Sequence, residues 1–263
     1  MRKSTPPRRK ALFVFGPPLV ALLVGAFLII QALSADAQPE SSGDVAESPE
    51  QSLSTNRVYS ILGASVPSSE WVVVNKSRPL PETFIPSDLR IIRSSSELAN
   101  PRKLKLQENA ASALEEMAEG LASQGAGNLF VNSAYRSYDE QAALFISKTK
   151  QYGEAVALVR SAKAGFSEHQ TGLAVDVSAP EQGCVILKCF GNTKAGKWLA
   201  ENSWRFGFII RYEIEATPIT GYTYEPWHLR YIGEELARIY HQGDFHTLEE
   251  LWNLPPAPDY PQD

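Results

Sequence analysis

Internal repeats are absent from this 263-residue chain, cysteine occurs twice, histidine four times, and a single apolar run is long enough to concern a bilayer. The overall balance, 43% hydrophobic and 21% charged, is that of a globular protein; it argues against wholesale disorder, a coiled-coil rod and a multi-span membrane protein. Positive charge is scarce where nucleic acid would need it. Five bases (Arg2, Lys3, Arg8, Arg9, Lys10) and one acid (Asp36) lie in residues 1–37, which leaves 20 basic against 29 acidic residues for the rest of the chain. An acidic body repels phosphate backbones, so nucleic acid is excluded as a partner.

The five bases precede an apolar run from Ala11 to Leu33, broken only by Gly16, Pro17, Pro18, Gly25 and Gln31. At about 1.5 Å per helical residue the run is long enough to cross a hydrocarbon core of roughly 30 Å. Bases on its N-terminal side keep that end in the cytoplasm and export the chain beyond Leu33. Ala35-Asp36-Ala37 is an A-x-A-like cleavage site, so residues 1–37 read as a basic segment with a transmembrane anchor or as a signal peptide. Residues 38–56, rich in Ser, Glu, Gln and Pro, cannot bury enough apolar surface to offset ordering entropy and read as a disordered linker. Residues 57–252 are one domain's worth of chain, and the Pro-rich segment 253–263 reads as an exposed tail.

Within the domain, Trp71 to Asn75 with its three valines reads as a strand. Apolar residues recur at helical spacing from Leu104 to Ser123, with Gly125 placed to stop the helix. Leu129 to Asn132 reads as a strand, and Ser137 with Glu140 forms a capping box that opens a helix through Ile146. Gly172 to Ser178 alternates, putting Leu173, Val175 and Val177 on one face and Ala174, Asp176 and Ser178 on the other. A helix over 197–206, strands at 208–211 and 227–231 and a last helix over 234–241 complete the pattern. Without regular β-α-β alternation, these elements predict a single α+β domain with a central antiparallel sheet flanked by helices.

Chemistry gathers around two of the four histidines. His169 precedes Asp176 in Ser167-Glu-His-Gln-Thr-Gly-Leu-Ala-Val-Asp176, and His228 follows Glu225 in Glu225-Pro-Trp-His228. Two imidazoles and a carboxylate suit Zn²⁺, whose catalytic sites keep three protein ligands and a position for water. His169, Asp176 and His228 form such a set, with the polar face of the 172–178 strand aiming Asp176 at the ion. Glu225 is then a spare carboxylate near the metal, suited to shuttle a proton. Arg136 is suited to clamp a substrate carboxylate or to stabilise oxyanion charge. Neither H-x6-D nor E-x2-H is a general zinc motif, so spacing alone leaves satisfied or surface histidines open.

Three strings together, Ser133-Ala-Tyr-Arg-Ser-Tyr-Asp-Glu-Gln141, Ser167 to Asp176 and Glu225 to His228, resemble in order and separation the motifs of the VanY-type D-alanyl-D-alanine carboxypeptidases. Val74-Asn75-Lys76 and Ser87-Asp88-Leu89 resemble that family's entry into the domain, and the likeness spans about residues 70 to 240. It implies a zinc peptidase that trims peptidoglycan stem peptides outside the cell, tethered to the membrane through the N-terminal anchor or secreted. Relatives cut L,D bonds or act as endopeptidases; a non-catalytic wall-binding module of the same fold is a further alternative. Residue by residue, the resemblance implies His169, Asp176 and His228 as zinc ligands and Glu225 as catalytic base. It places Arg136 at the substrate's carbonyl or carboxylate, with Gln141, Ser167 and Trp227 as further substrate contacts.

Other features have plainer readings. Cys184 and Cys189, an isolated pair in an exported domain, read as a disulfide closing a small loop near the metal site. His241 and His246 read as solvated residues around the end of the last helix. Glu168 reads as a surface or supporting residue rather than the base. Trp198, Trp204, Phe206 and Phe208 have the spacing of core, and Trp227 is either packing or a substrate wall.

Overall fold

A computed structural model of the chain describes residues 63–262. The apolar run Ala11–Leu33 and the linker 38–56 lie outside the described residues. Among the described residues no helix is long and apolar enough to cross a membrane.

The centre of the domain is a five-stranded sheet in the order β2-β4-β5-β7-β6, with β2 Leu98–Ala99, β4 Leu129–Ser133, β5 Ala174–Ser178, β6 Phe208–Ile210 and β7 His228–Tyr231. All its pairings are antiparallel except β2 with β4 at one edge. A separate antiparallel pair joins β1 (Leu89–Ile91) to β3 (Lys105–Gln107). The α+β expectation therefore holds, with one parallel edge pair added.

The first long helix, α1, spans Glu108–Ser123 and not Leu104–Ser123, because Lys105–Gln107 are drawn into pairing with β1. Its buried stripe, Leu114, Met117 and Leu121 among others, packs on Val131, Val175, Val177 and Leu229 of the sheet. Burial of such side chains contributes roughly 1.5–3 kcal/mol each. The opposite strand faces carry Asp176, His228 and Arg230, so strand alternation separates an apolar core from a polar layer. Helix α2 (Tyr138–Tyr152) opens on the capping box: Ser137 accepts from the Glu140 amide, and the Glu140 side chain accepts from the Ser137 amide. Gly153, at φ 82°, breaks the helix and starts α3 (Glu154–Arg160). Helices α4 (Lys194–Asn202), α5 (Thr217–Thr220), α6 (Glu234–Gln242) and α7 (Leu248–Leu251) complete the described residues.

One local expectation is overturned and a second gains detail. Val72, Val73 and Val74 are buried yet form no strand, and arginine side chains take the carbonyls of the first two. Arg230 donates to Val72 O at 2.8 Å and Arg78 to Val73 O at 3.3 Å, where a partner strand would otherwise pair. The Pro-rich segment is largely exposed and also held at three points: Ala257 is buried and donates to Ile219 O, Lys76 donates to Pro258 O, and the Tyr260 hydroxyl accepts from the Lys163 amide. Trp198 and Phe208 lie in the core as expected, and Phe206 packs against it.

Candidate active site

Register alone assembles the first part of the site. Asp176 stands opposite Ser133 on β4 and opposite His228 on β7, so three polar side chains form a row across three adjacent strands. His169 joins the row through a turn. Ser167, in extended conformation, begins a 3-10 turn over Glu168–Thr171, and Gly172 ends it at φ 70°. A side chain at Gly172 would meet Leu89 at 2.8 Å as well as the backbone penalty, so the turn into β5 needs glycine there. His169 Nε2 then lies 3.3 Å from Asp176 Oδ2, and His228 Nδ1 lies 3.0 Å from Asp176 Oδ1. One donor atom from each of the three falls within 4.8 Å of the others.

The remaining nitrogen of each imidazole is occupied from behind. His169 Nδ1–H donates to Ala134 O at 2.8 Å, and His228 Nε2 faces Glu168 Oε2 at 3.4 Å. Such backing fixes the tautomer and ring orientation of metal-ligating histidines. Burial opposes ionisation of Asp176, but the two imidazoles outweigh it and hold the carboxyl far below its usual range. Burial also opposes charge on His228, yet its bonds to Asp176 and Glu168 lift it to about 9. The cluster is therefore built around a permanent carboxylate and favours a cation. A neutral His169, whose pKa burial lowers, completes a donor set whose chemistry fits Zn²⁺.

Glu168 is fully buried, which removes the surface alternative for it. Its Oε1 accepts from Arg211 Nε at 2.8 Å and from Arg230 Nη1 at 2.9 Å. Arg211 forks onto Glu249 at 3.0 and 2.8 Å, and Asn75 donates to the same carboxylate at 2.9 Å. Burial alone would raise the Glu168 carboxyl; the two guanidiniums reverse this and hold it well below the usual range. Arg211, Arg230 and Glu249 were not singled out from the sequence. One signal was present, since Arg230 lies two residues from His228 and so shares its strand face.

The row opens on a cavity of about 750 Å³ lined by every residue expected from the sequence to hold metal or touch substrate. Glu225 reaches it because its amide bonds to Tyr212 O at 2.9 Å and its carbonyl accepts from His228 N at 3.1 Å, a turn that places it just before β7. Burial pushes its carboxyl up to about 8, against the pull of His228. Arg136 is held at both ends of its fork, by Gln141 Oε1 at 2.5 Å and Ser133 Oγ at 2.6 Å. Gln141 also donates to Ala162 O at 2.6 Å, so its amide holds Arg136 from a fixed position. Trp227 packs in the core and also lines the cavity. Cys184 and Cys189 are bonded, and Ile186, Leu187 and Lys188 of the loop they close form part of the wall. His241 stacks on Trp204 and His246 pairs with Glu213; neither lines this cavity.

Comparison with known proteins agrees with this geometry. The family model described as VanY, D-alanyl-D-alanine carboxypeptidase, matches residues 103–234. YodJ of Bacillus subtilis, provisionally named a carboxypeptidase, is 41% identical over 188 residues, covering 71% of this chain and 68% of its own length. A D-alanyl-D-alanine carboxypeptidase of Enterococcus faecium is 30% identical over 216 residues; the match covers 80% of this chain and 64% of that protein. Among solved structures, the LD-carboxypeptidase LdcB shares 40% identity at a TM-score of 0.64, covering 71% of this chain and 87% of that one. The D,D-pentapeptidase VanY of the VanB-type resistance cassette, in complex with Zn(II), shares 34% identity at a TM-score of 0.55, covering 68% of this chain and 96% of that one.

Proposed function

Because the chain belongs to the VanY family of D-alanyl-D-alanine carboxypeptidases, which are enzymes, we propose that it is a zinc-dependent carboxypeptidase removing the C-terminal D-Ala from peptidoglycan stem peptides. The supporting observation is one wall of one cavity: three metal-suited donors in a row, a carboxyl held near 8 beside them, and an anchored arginine. His169, Asp176 and His228 hold the ion. Zinc, when bound, polarises a carbonyl and makes a water nucleophilic near neutral pH.

Glu225 takes the proton of the attacking water and returns it to the leaving amine. A carboxyl whose pKa lies near the working pH suits both transfers, and a dication alongside favours its ionised form. Arg136, its fork fixed by Gln141 and Ser133, meets the negative charge of the substrate at its carbonyl or terminal carboxylate. Ser167 and Trp227 wall the substrate. The proposal places the domain outside the cytoplasm, with residues 1–37 as anchor or signal peptide and 38–56 as linker.

A second reading has a specific observation behind it: the match to LdcB exceeds that to VanY in identity and TM-score, which favours cleavage of L,D bonds in tetrapeptide stems. Mass spectrometry of pentapeptide and tetrapeptide stems incubated with the zinc-loaded protein separates the two. Loss of one Ala from the pentapeptide alone supports the D,D assignment, and loss from the tetrapeptide moves it to L,D. Activity that survives in Glu225→Gln would remove the base assignment, and a His169→Ala protein that keeps zinc would remove the ligand set.

A further inference from the structure

The acids lining the catalytic cavity are Glu168, Asp176 and Glu225, all committed to its metal-suited floor. The rim carries the opposite charge. Lys148 and Arg160 line it from α2 and α3, and Lys188 from the disulfide loop. None of these three cations has a carboxylate within ion-pairing distance among the described residues, and of the three Arg160 also acts at longer range on Glu225, whose carboxyl it pulls down.

Two of the three are pre-positioned. Lys148 and Tyr152 are four residues apart on α2, and the Lys148 ammonium lies over the Tyr152 ring, 5.6 Å from its centre. The turn at Gly153 folds α3 back so that the Arg160 guanidinium lies 5.4 Å from the centre of the same ring. Contact with an aromatic face holds each cation at the cavity mouth without neutralising it. Two cations on one ring, neither of them ion-paired to a carboxylate among the described residues, stand beside a peptide-cleaving centre and form a receptor for an anion.

We propose that Lys148, Tyr152 and Arg160 form a subsite for a second carboxylate of the substrate, on a side chain upstream of the scissile bond. This rests on the carboxypeptidase reading and names the substrate class within it: stems with a free side-chain carboxylate are preferred over stems whose carboxylate is amidated. The terminal carboxylate is common to both, so the ledge discriminates between them and Arg136 does not.

The test uses two pentapeptide stems identical except that the third side chain ends in a carboxylate or in its carboxamide. The zinc-loaded wild-type protein is expected to favour the acid by about fivefold in kcat/KM, chiefly through KM, with the preference shrinking as salt rises. In the Lys148→Gln, Arg160→Gln double variant the ratio of the two kcat/KM values is expected to fall towards one. An unchanged ratio, or a wild type indifferent to the side chain, overturns the subsite. If both stems slow equally in the variant, the cations act on what the stems share, the terminal carboxylate or the Glu225 carboxyl that Arg160 influences, and the proposal is again wrong. Should the wild type trim neither stem, the D,D assignment fails first, and calorimetric titration of the Glu225→Gln protein with the two stems still reports whether the ledge prefers the acid.

Discussion

Two charge-dense clusters lie on the same face of the same sheet, back to back across His228. One holds His169, Asp176, His228 and Glu225; the other holds Glu168, Arg211, Arg230 and Glu249. The second is balanced, two carboxylates against two guanidiniums, each engaged in short bonds and shut away from solvent. The first is unbalanced, with donors facing one another and a carboxyl pushed up to about 8, and it opens on the cavity. Both have high charge and burial, so neither property marks the reactive cluster. The mark is convergence beside an open space: His169, Asp176 and His228 each bring a ligand-capable atom within 4.8 Å of the others at the wall of the cavity.

The largest effect that should separate the clusters comes from Glu225→Gln. Loss of a general base typically costs about 10²–10⁴-fold in rate, so kcat should fall by that order while zinc content and melting midpoint stay at wild-type values. A fall in midpoint as large as that of a core deletion would show that Glu225 belongs to the scaffold.

Arg211→Leu should do the reverse. It strips Glu168 of one guanidinium and Glu249 of its fork, leaving buried carboxylates uncompensated, a defect worth about 3–5 kcal/mol. For a domain of this size that is roughly a 10 °C loss in midpoint by calorimetry. Zinc affinity should weaken as well, by about 10- to 100-fold, because Glu168 no longer backs His228 firmly. Unchanged stability with lost activity would mean that the rear cluster is itself part of the chemistry.

Acid tests the rear cluster without a change of fold. Burial opposes ionisation of Glu249, but Arg211 and Asn75 hold its carboxyl below the usual range. A carboxyl depressed by folding adds stability that is complete above its unfolded pKa and is lost as pH falls through the folded value. The wild-type midpoint should therefore drop as pH falls below about 4.5, and Glu249→Gln should flatten that slope while lowering the midpoint near neutrality. An identical slope in the variant would place the acid sensitivity elsewhere.

The front cluster was readable in advance because its members carry local signals (rare histidines, a strand with a polar face at Asp176 and a capping box after Arg136) and because the three strings that hold them together resemble one family's motifs. The rear cluster was not. Arg211 and Arg230 bind Glu168 across 43 and 62 residues, and no spacing rule joins an arginine to a glutamate at such separations. The same blindness explains the valines at 72–74, which are buried but whose strand propensity is silent about the guanidiniums that take the place of a partner strand. It also explains the Pro-rich end, where composition predicts exposure and long-range bonds from Lys76 and Tyr260 dock it.

The smallest expected effect probes the cavity wall, which belongs to neither cluster. Cys184 and Cys189 close a loop of only a few residues, so replacing both by serine should cost at most about 2 kcal/mol, a drop of about 5 °C in midpoint. Function should respond in KM more than in kcat, because Ile186, Leu187 and Lys188 line the cavity whereas the metal-suited donors sit on the sheet and the turn before β5. Steady-state kinetics of the double serine variant decides the point. If kcat fell as steeply as in Glu225→Gln, the loop would be holding the reacting geometry, and the boundary between wall and centre would have to be redrawn to include it.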